Sequence, residues 1–397
     1  MVELGLLVTG KYDAEIREAL VSTTLNQLAK LEYGVRQRLR LRLLQLLSTA
    51  DSPLFKNAST NSQVFIKAQD VHMNKPVEIP EFTDFSSSNT HIQNMSRVFN
   101  LPVPPKVQVM PMGYNARTSS VVLSGTPVPR PHGIFSLPGE DEAQATLRPT
   151  RKLDFEVELG IVLSQPLPHG QSLNGQDGQT ADQIMRKHVF GFLVLNDWSA
   201  RDVQAYEMIP TGPFHGKSFT TSISPWIVPL ESLEDDENNI GRQHPLSCLS
   251  GVKSSVDVPG DKAVFDIDID VTISRNGSSF RKITRCNLKA VYWSPVQLIK
   301  YQASSGCGFR TGDILGTGTL SVSGGDASDF PSSLGCLQEI TEDARKPLSI
   351  QFAGQDREDV AFLEDGDLVT FEAWAKKRDG SRCFGFGSVS GRVMPSS

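Results

Sequence analysis

The sequence predicts a mainly β fold with a few helices, preceded by a mostly helical N-terminal segment. From about residue 105 the chain runs through short apolar or alternating stretches separated by Pro, Gly and Ser. These are "SSVVLSGTPV", "LDFEVELGIVL", "HVFGFLVLN", "AVFDIDIDVTI", "GDLVTFEAWA" and "FGFGSVSGRV". Alternation with period two turns one face of a strand inward, and the separators are turn formers. In "ISRNGSSF", Asn276-Gly277 sits between two such stretches, and both residue types tolerate the positive φ of a tight hairpin. Strands and helices do not alternate as in a doubly wound sheet, so packed sheets or a rolled sheet over roughly 300 residues are expected.

Residues 14 to 48 read as helix. Leu28, Leu31, Val35, Leu39, Leu43 and Leu46 recur at three- and four-residue spacing and stack on one stripe. Arg36, Arg40 and Arg42 beside it would suit a membrane-surface or calmodulin-target helix. The plainer expectation is a helix docked on the rest of the chain by its leucine face. Later helices are expected near 178–188, 199–208 and 293–303. Residues 317–335 form a Gly/Ser-rich loop, a candidate cover for a site. The expected division is a short N-terminal segment, 1–78, and a large second domain, 79–397.

Composition narrows the function. A hydrophobic content of 39%, a charged content of 21% and a net charge of −6 are ordinary for a globular protein. They argue against nucleic-acid and anionic-membrane partners. The five cysteines, Cys248, Cys286, Cys307, Cys336 and Cys383, include no C-x-x-C pair and read as reduced thiols. "MVELGLLVTG" has no basic region before its apolar residues, a poor signal peptide, and no run approaches the ~18 apolar residues of a membrane span. A cytoplasmic protein is expected.

Glu156 and Glu158, two apart in "DFEVELGIVL", leave the same face of a strand whose other residues are apolar. On a buried face two such carboxylates need a cation or a shared proton, whereas on an exposed edge they need neither. Asp197 ends the apolar run "VFGFLVLN" where strand gives way to helix. It suits either a third ligand for an oxygen-loving ion such as Mg²⁺ or Ca²⁺, or a helix N-cap shared with Ser199. Arg201 and Gln204 lie three apart on one helix face, and Lys217 follows Gly216 in a turn. Together they would make an oxyanion- or carboxylate-binding wall. Asp266, Asp268 and Asp270 start like a calcium loop, but Val271 stands where that loop needs Gly, so they read as the wet face of a strand. His91 follows Asp84 by seven residues, across a Ser-rich turn and into a helix. The histidines show no paired metal spacing, and there is no nucleophile-elbow or nucleotide motif.

The run "FGFLVLNDWSARDVQAYEMIPTGPFHGKSFTTSISPWIVPLESL" resembles the fumarylacetoacetase family, which contains the last enzyme of tyrosine breakdown. "FTDFSSSNTHIQN", "MGYNARTSSVVLSGTPVPRP", "LDFEVELGIVL", "YWSPVQLIKYQASSGCGFRTGDILGTGTLS" and "GFGSVSGRVMP" extend the resemblance over about residues 80 to 397. It implies a β-rich roll of packed sheets, a homodimer and hydrolysis of a C–C bond in a 1,3-dicarbonyl acid. The implied metal ligands for Mg²⁺ or Ca²⁺ are Asp84, Glu156, Glu158 and Asp197. His91, held by Glu339, would activate water, and Arg201, Gln204, Lys217, Tyr114 and Thr319 would bind or polarise the substrate.

Three positions depart from the family on the substrate's side. Ser86 and Met208 replace tyrosines, and Asn100 stands where an arginine would contact the substrate carboxylate. Losing a guanidinium fork and two hydroxyls weakens recognition of a dicarboxylate, and Met208 makes the pocket more adaptable. The segment before Asp84 is also too short for the family's whole SH3-like barrel. Two alternatives follow: a member that keeps the enolate chemistry for a polyketide-like or β-keto substrate in secondary metabolism, by retro-Claisen cleavage, decarboxylation or bond formation, and a non-catalytic binding protein.

Overall fold

A computed structural model describes residues 6–7, 13–56, 58–173, 178–324, 330–352 and 357–397. Its main sheet runs, in spatial order, Met112–Ala116, Phe82–Ser86, Ile314–Gly316, Val157–Leu163, Val189–Asp197, Thr221–Ile223 and Val121–Leu123. Val228–Pro229 also pairs with Val189–Asp197. A second sheet orders Arg281–Asn287, Ile267–Ser274, Leu368–Lys376, Arg382–Met394 and Val128–Pro129. The sheets are mostly antiparallel; among the exceptions Phe82–Ser86 runs parallel to Ile314–Gly316. The expected β-rich class with few helices is the observed one.

The two sheets face each other across the main core. Val157, Leu159, Ile161, Phe192 and Val194 of the first meet Ile267, Ile269, Val271 and Phe371 of the second. The opposite face of the first sheet is covered as well, where Phe82, Val162, Leu193, Leu195 and Ile314 pack against Ala29 of the N-terminal helices. Strands buried on both faces explain why "LGIVL" and "VFGFLVLN" read as nearly continuous apolar runs. Asn276 (φ 51°) and Gly277 (φ 75°) turn the chain between the paired strands Ile267–Ser274 and Arg281–Asn287, so the hairpin forms where expected.

Two expectations need correction. The helix over 14–48 is three helices, Asp13–Val21, Asn26–Lys30 and Tyr33–Ser48. Leu31 and Glu32 are extended between the second and third. The break lets the short middle helix press Ala29 onto the sheet while the long one follows the surface. Asp266, Asp268 and Asp270 form no simply wet face. Lys289, Lys376, Arg285 and Arg382 pair with them, and Asp268 is buried.

The N-terminal helices dock through Arg36, which is buried. Its guanidinium donates to Glu231 (2.7 Å), to Ser164 (2.6 Å) and to the carbonyls of Ala29, Leu31 and Val189. The arginine side of the leucine stripe is thus a docking device, while Leu41 and Leu47 stay exposed. Among the described residues no helix is long and apolar enough to cross a membrane, and none before residue 79 is in a strand. Arg36→Ala strands Glu231 in the interior. It should lower the unfolding free energy by roughly 3–5 kcal/mol, read as a lower urea midpoint, with the N-terminal helices becoming protease-sensitive first.

Candidate active site

One face of the main sheet carries the apolar contact with Ala29 at one end and a concentration of charge at the other. Asp84 shares its strand face with Phe82 and lies opposite Tyr114 and Gly316. Glu158 pairs across the sheet with Leu195, and Asp197, two residues further on, pairs with Thr221. Asp84, Glu156, Glu158 and Asp197 are all buried, and one oxygen of each lies within 4.8 Å of the others. Sheet register therefore gathers residues separated by up to 113 positions, which no local spacing encodes.

Local packing fixes these carboxylates. Trp198, fully buried, points to the opposite face, where its indole N–H donates to Ser222 (2.9 Å). A side chain at Gly391 would collide with that ring, its Cβ lying 2.5 Å from Trp198. Neither Asp197 nor Ser199 caps the following helix, Arg201–Thr211, contrary to one of the sequence readings. Ala200 holds the cap position, and the Ser199 hydroxyl donates back to the Asp197 carbonyl. Asp197 instead accepts from Thr221 (2.8 Å), Tyr114 (2.9 Å) and Lys217 (2.8 Å). Lys217 also donates to Glu156. Glu156 accepts from Arg201 (2.6 Å), whose same nitrogen donates to Gln204 (3.1 Å).

The cations serve the four carboxylates unequally. Burial acts to raise Glu156, but Lys217 and Arg201 outweigh it and hold the group well below the usual range. Burial would depress the Lys217 ammonium; Asp197 and Glu156 hold it above its ordinary value. Asp84 is pushed up to about 8 by burial and then by the Asp197 charge. Glu158 is raised well above its usual range by burial and by Asp84. Asp84 Oδ1 and Glu158 Oε1 are buried with no hydrogen-bond partner. Between them lies space kept by Gly316, where a Cβ would stand 2.5 Å from Asp84 Oδ1 and 2.9 Å from Glu158 Oε2. An all-oxygen donor set with two unsatisfied oxygens and a glycine-kept gap fits a hard divalent cation.

A second constellation stands beside the first. His91 Nδ1 is 2.7 Å from Glu339 Oε2, bringing together residues 248 positions apart. The Ser88 hydroxyl, at the N-cap of Asn89–Val98, fixes the helix that carries His91. Glu339 is fully surrounded: Asn94 donates to it at 2.9 Å, Ser321 at 2.8 Å and the Cys336 thiol at 3.3 Å. Burial works against the Glu339 carboxylate, but His91, Asn94 and Ser321 hold it below its ordinary range. Ser321 and the buried Thr319 belong to the stretch expected as a covering loop. Its first part is instead a buried wall; residues 325–329 of that stretch lie outside the described residues.

Not every expected residue joins these clusters. Ser86 ends the Phe82–Ser86 strand and is half-buried. Asn100 is exposed at a left-handed turn (φ 53°), and Met208 is 40% exposed on the Arg201–Thr211 helix. Sequence reading missed Asp154, fully buried, which accepts from Arg201 (2.9 Å). The signal was available, since Asp154, Glu156 and Glu158 continue one two-residue spacing.

A β-rich scaffold with a carboxylate-held imidazole beside a buried acidic cluster defines an enzyme. Residues 53–394 match the model of the fumarylacetoacetate hydrolase C-terminal domain, and residues 2–76 that of the fumarylacetoacetase N-terminal domain. The chain is 35% identical to the fumarylacetoacetase of Arabidopsis thaliana over 387 residues, covering 96% of this chain and 84% of that one. Against the Homo sapiens fumarylacetoacetase it is 31% identical, covering 98% and 87%. A solved yeast fumarylacetoacetate hydrolase family protein aligns with a TM-score of 0.43 at 14% identity, covering 80% of this chain and 94% of that one. The chain belongs to the fumarylacetoacetate hydrolase family, enzymes that hydrolyse C–C bonds and depend in general on a divalent metal ion.

Asp84 near 8 keeps its proton at pH 7, and an ion takes a carboxylate only as the anion. Titration with Mg²⁺ or Ca²⁺ at pH 7 should release roughly one proton or more per ion, read by calorimetry in buffers of different ionisation enthalpy. Affinity should rise with pH through the range near 8 in which Asp84 ionises. Asp84→Asn should remove that part of the proton release and weaken binding.

Proposed function

We propose that the protein is a divalent-metal-dependent hydrolase that cleaves a C–C bond in a 1,3-dicarbonyl acid, with fumarylacetoacetate as the first substrate to test. The observation that carries this reading is the His91–Glu339 pair lying beside a buried acidic cluster with two unpartnered oxygens. The names of the relatives supply the substrate. A divalent ion on Asp84, Glu156, Glu158 and Asp197 would supply a Lewis acid for the ketonic oxygens, and both Mg²⁺ and Ca²⁺ suit the donors.

The chain's own residues do the rest. Glu339 accepts the Nδ1 proton of His91, which leaves Nε2 as the base for water. The water oxygen bonds to the carbonyl carbon as His91 takes the proton; the C–C bond then breaks, and its electron pair leaves as an enolate or carbanion. Three groups keep donors for that charge. Arg201 Nη2 is buried without a partner. Gln204 receives Arg201 on its carbonyl oxygen, which frees its amide N–H. Lys217 spends two N–H on Glu156 and Asp197 and keeps a third. The proton on His91 returns to the leaving carbon. Tyr114 and Thr319 line the substrate's position. Ser86, Asn100 and Met208 would set its outer limits, with less provision for a carboxylate than a guanidinium gives. A unit boundary near residue 78, a homodimer and a cytoplasmic setting belong to the same proposal and are supported by the family resemblance.

Loss of the enol absorbance of fumarylacetoacetate in the presence of Mg²⁺ or Ca²⁺ tests this reading directly. His91→Ala should lower kcat by ~10²–10⁴-fold, and Lys217→Met by about 10²–10³-fold. A protein that binds the ion and leaves this substrate unchanged would not be the proposed hydrolase. Sedimentation equilibrium should give twice the chain mass, and a monomer would remove the dimer.

A further inference from the structure

Asp154 belongs to neither the acidic cluster nor the histidine pair, yet it touches the supports of both. It lies on Leu153–Asp154, which pairs with Ser199–Ala200, the residues leading into Arg201. Its side chain is wholly buried. Oδ2 accepts from Arg201 Nε (2.9 Å) and from the backbone N–H of Gln338 (3.0 Å). Oδ1 accepts from the backbone N–H of Leu337 (2.8 Å) and of Phe155 (2.8 Å). Leu337 and Gln338 open the short helical turn Leu337–Ile340, whose third residue is Glu339. One carboxylate therefore grips the arginine on one side and the turn that aims Glu339 at His91 on the other.

We propose that Asp154 is a positioning residue that locks the Arg201 arm and the Glu339–His91 arm into one register. Its chemistry fits the task. A carboxylate has enough acceptor sites for four donors in fixed directions, and charge-assisted bonds are shorter and stronger than neutral ones. An amide at this place has one acceptor oxygen and two donors, so it cannot satisfy Arg201 and three backbone N–H together. Arg201 has Glu156 as a second anchor through Nη1, and among the described residues the turn has no such second carboxylate on its first N–H groups. The looser arm without Asp154 is thus the one that carries Glu339. Asp154 touches no atom expected to react; it acts through Arg201 and Glu339.

This inference rests on the hydrolase reading for its rate arm and on the fold alone for its spectroscopic arm. Asp154→Asn should lower kcat by about 10²-fold, the scale of a misplacement near 1 Å, with KM changing less than about threefold. Because Arg201 keeps Glu156 and the arm loosened by losing Asp154 is the one that carries Glu339, Asp154→Asn combined with Glu339→Gln should be little slower than Glu339→Gln alone; multiplicative losses would overturn the proposal. The ¹⁵N resonances of the His91 imidazole, assigned by comparison with His91→Ala, should move in Asp154→Asn, and unmoved signals would overturn it. If Asp154→Asn does not fold, hydrogen exchange in the unmodified protein decides: Leu337 and Gln338 amides should be among the slowest, and exchange at exposed-loop rates overturns the lock. A wild-type protein inactive on fumarylacetoacetate would overturn the hydrolase reading while the exchange and imidazole measurements still judge Asp154.

Discussion

Buried negative charge at one end of the main sheet is the constraint to which the rest of the site answers. Asp84, Asp154, Glu156, Glu158, Asp197 and Glu339 are all buried, and the buried cations among them are Arg201 and Lys217. Each ionised carboxylate taken from water costs several kcal/mol even after relaxation. The cations are not shared evenly. Glu156 is ion-paired with both and is held below its usual range, whereas Asp84 and Glu158 are paired with neither and burial pushes them up. An even distribution would make a stable ion-pair network with nothing left to bind. The uneven one concentrates unmet demand for positive charge on two oxygens beside Gly316.

That demand explains several features that packing alone does not. Gly316 pairs with Asp84 on one side and Gly160 on the other, so two neighbouring strands present no side chain beside the carboxylates. The backbone N–H of Gly318 donates to Glu158 (3.0 Å), so part of the compensation comes from the chain itself. Trp198 anchors the strand end on the opposite face through Ser222. The same sheet face ends in the apolar contact with Ala29, so the N-terminal helices brace the sheet from which the site is built.

Much of this was legible in the sequence, in proportion to how local each feature is. Glu156 and Glu158 project together because strands have period two, and the surrounding apolar residues implied burial. Asn276-Gly277 placed its hairpin for a similarly local reason. The break in the first helix was hidden, since Leu28, Leu31 and Val35 keep helical spacing across an extended pair of residues; docking, not propensity, decides there. The meeting of His91 with Glu339 lies beyond any local rule, being fixed by how a helix near residue 90 and a turn near residue 337 pack. Only family resemblance suggested it. Asp154 shows the converse: its spacing with Glu156 and Glu158 was visible, but its partners are backbone groups some 180 residues away, which spacing does not reveal.

The three positions read from the sequence as departures from the family lie apart from this charged interior. Asn100 and Met208 are exposed, and Ser86 sits half-buried at a strand end. Altering an exposed residue removes no compensation from the buried carboxylates, so its cost in stability is small. Altering Arg201, Lys217 or Asp154 leaves charge unpaired in the interior, and the penalty falls on fold and chemistry alike. Exposed positions can therefore change at little cost while the buried charges stay fixed. This asymmetry gives a physical reason for such a chain to vary at exposed positions while its acidic cluster and histidine pair stay intact.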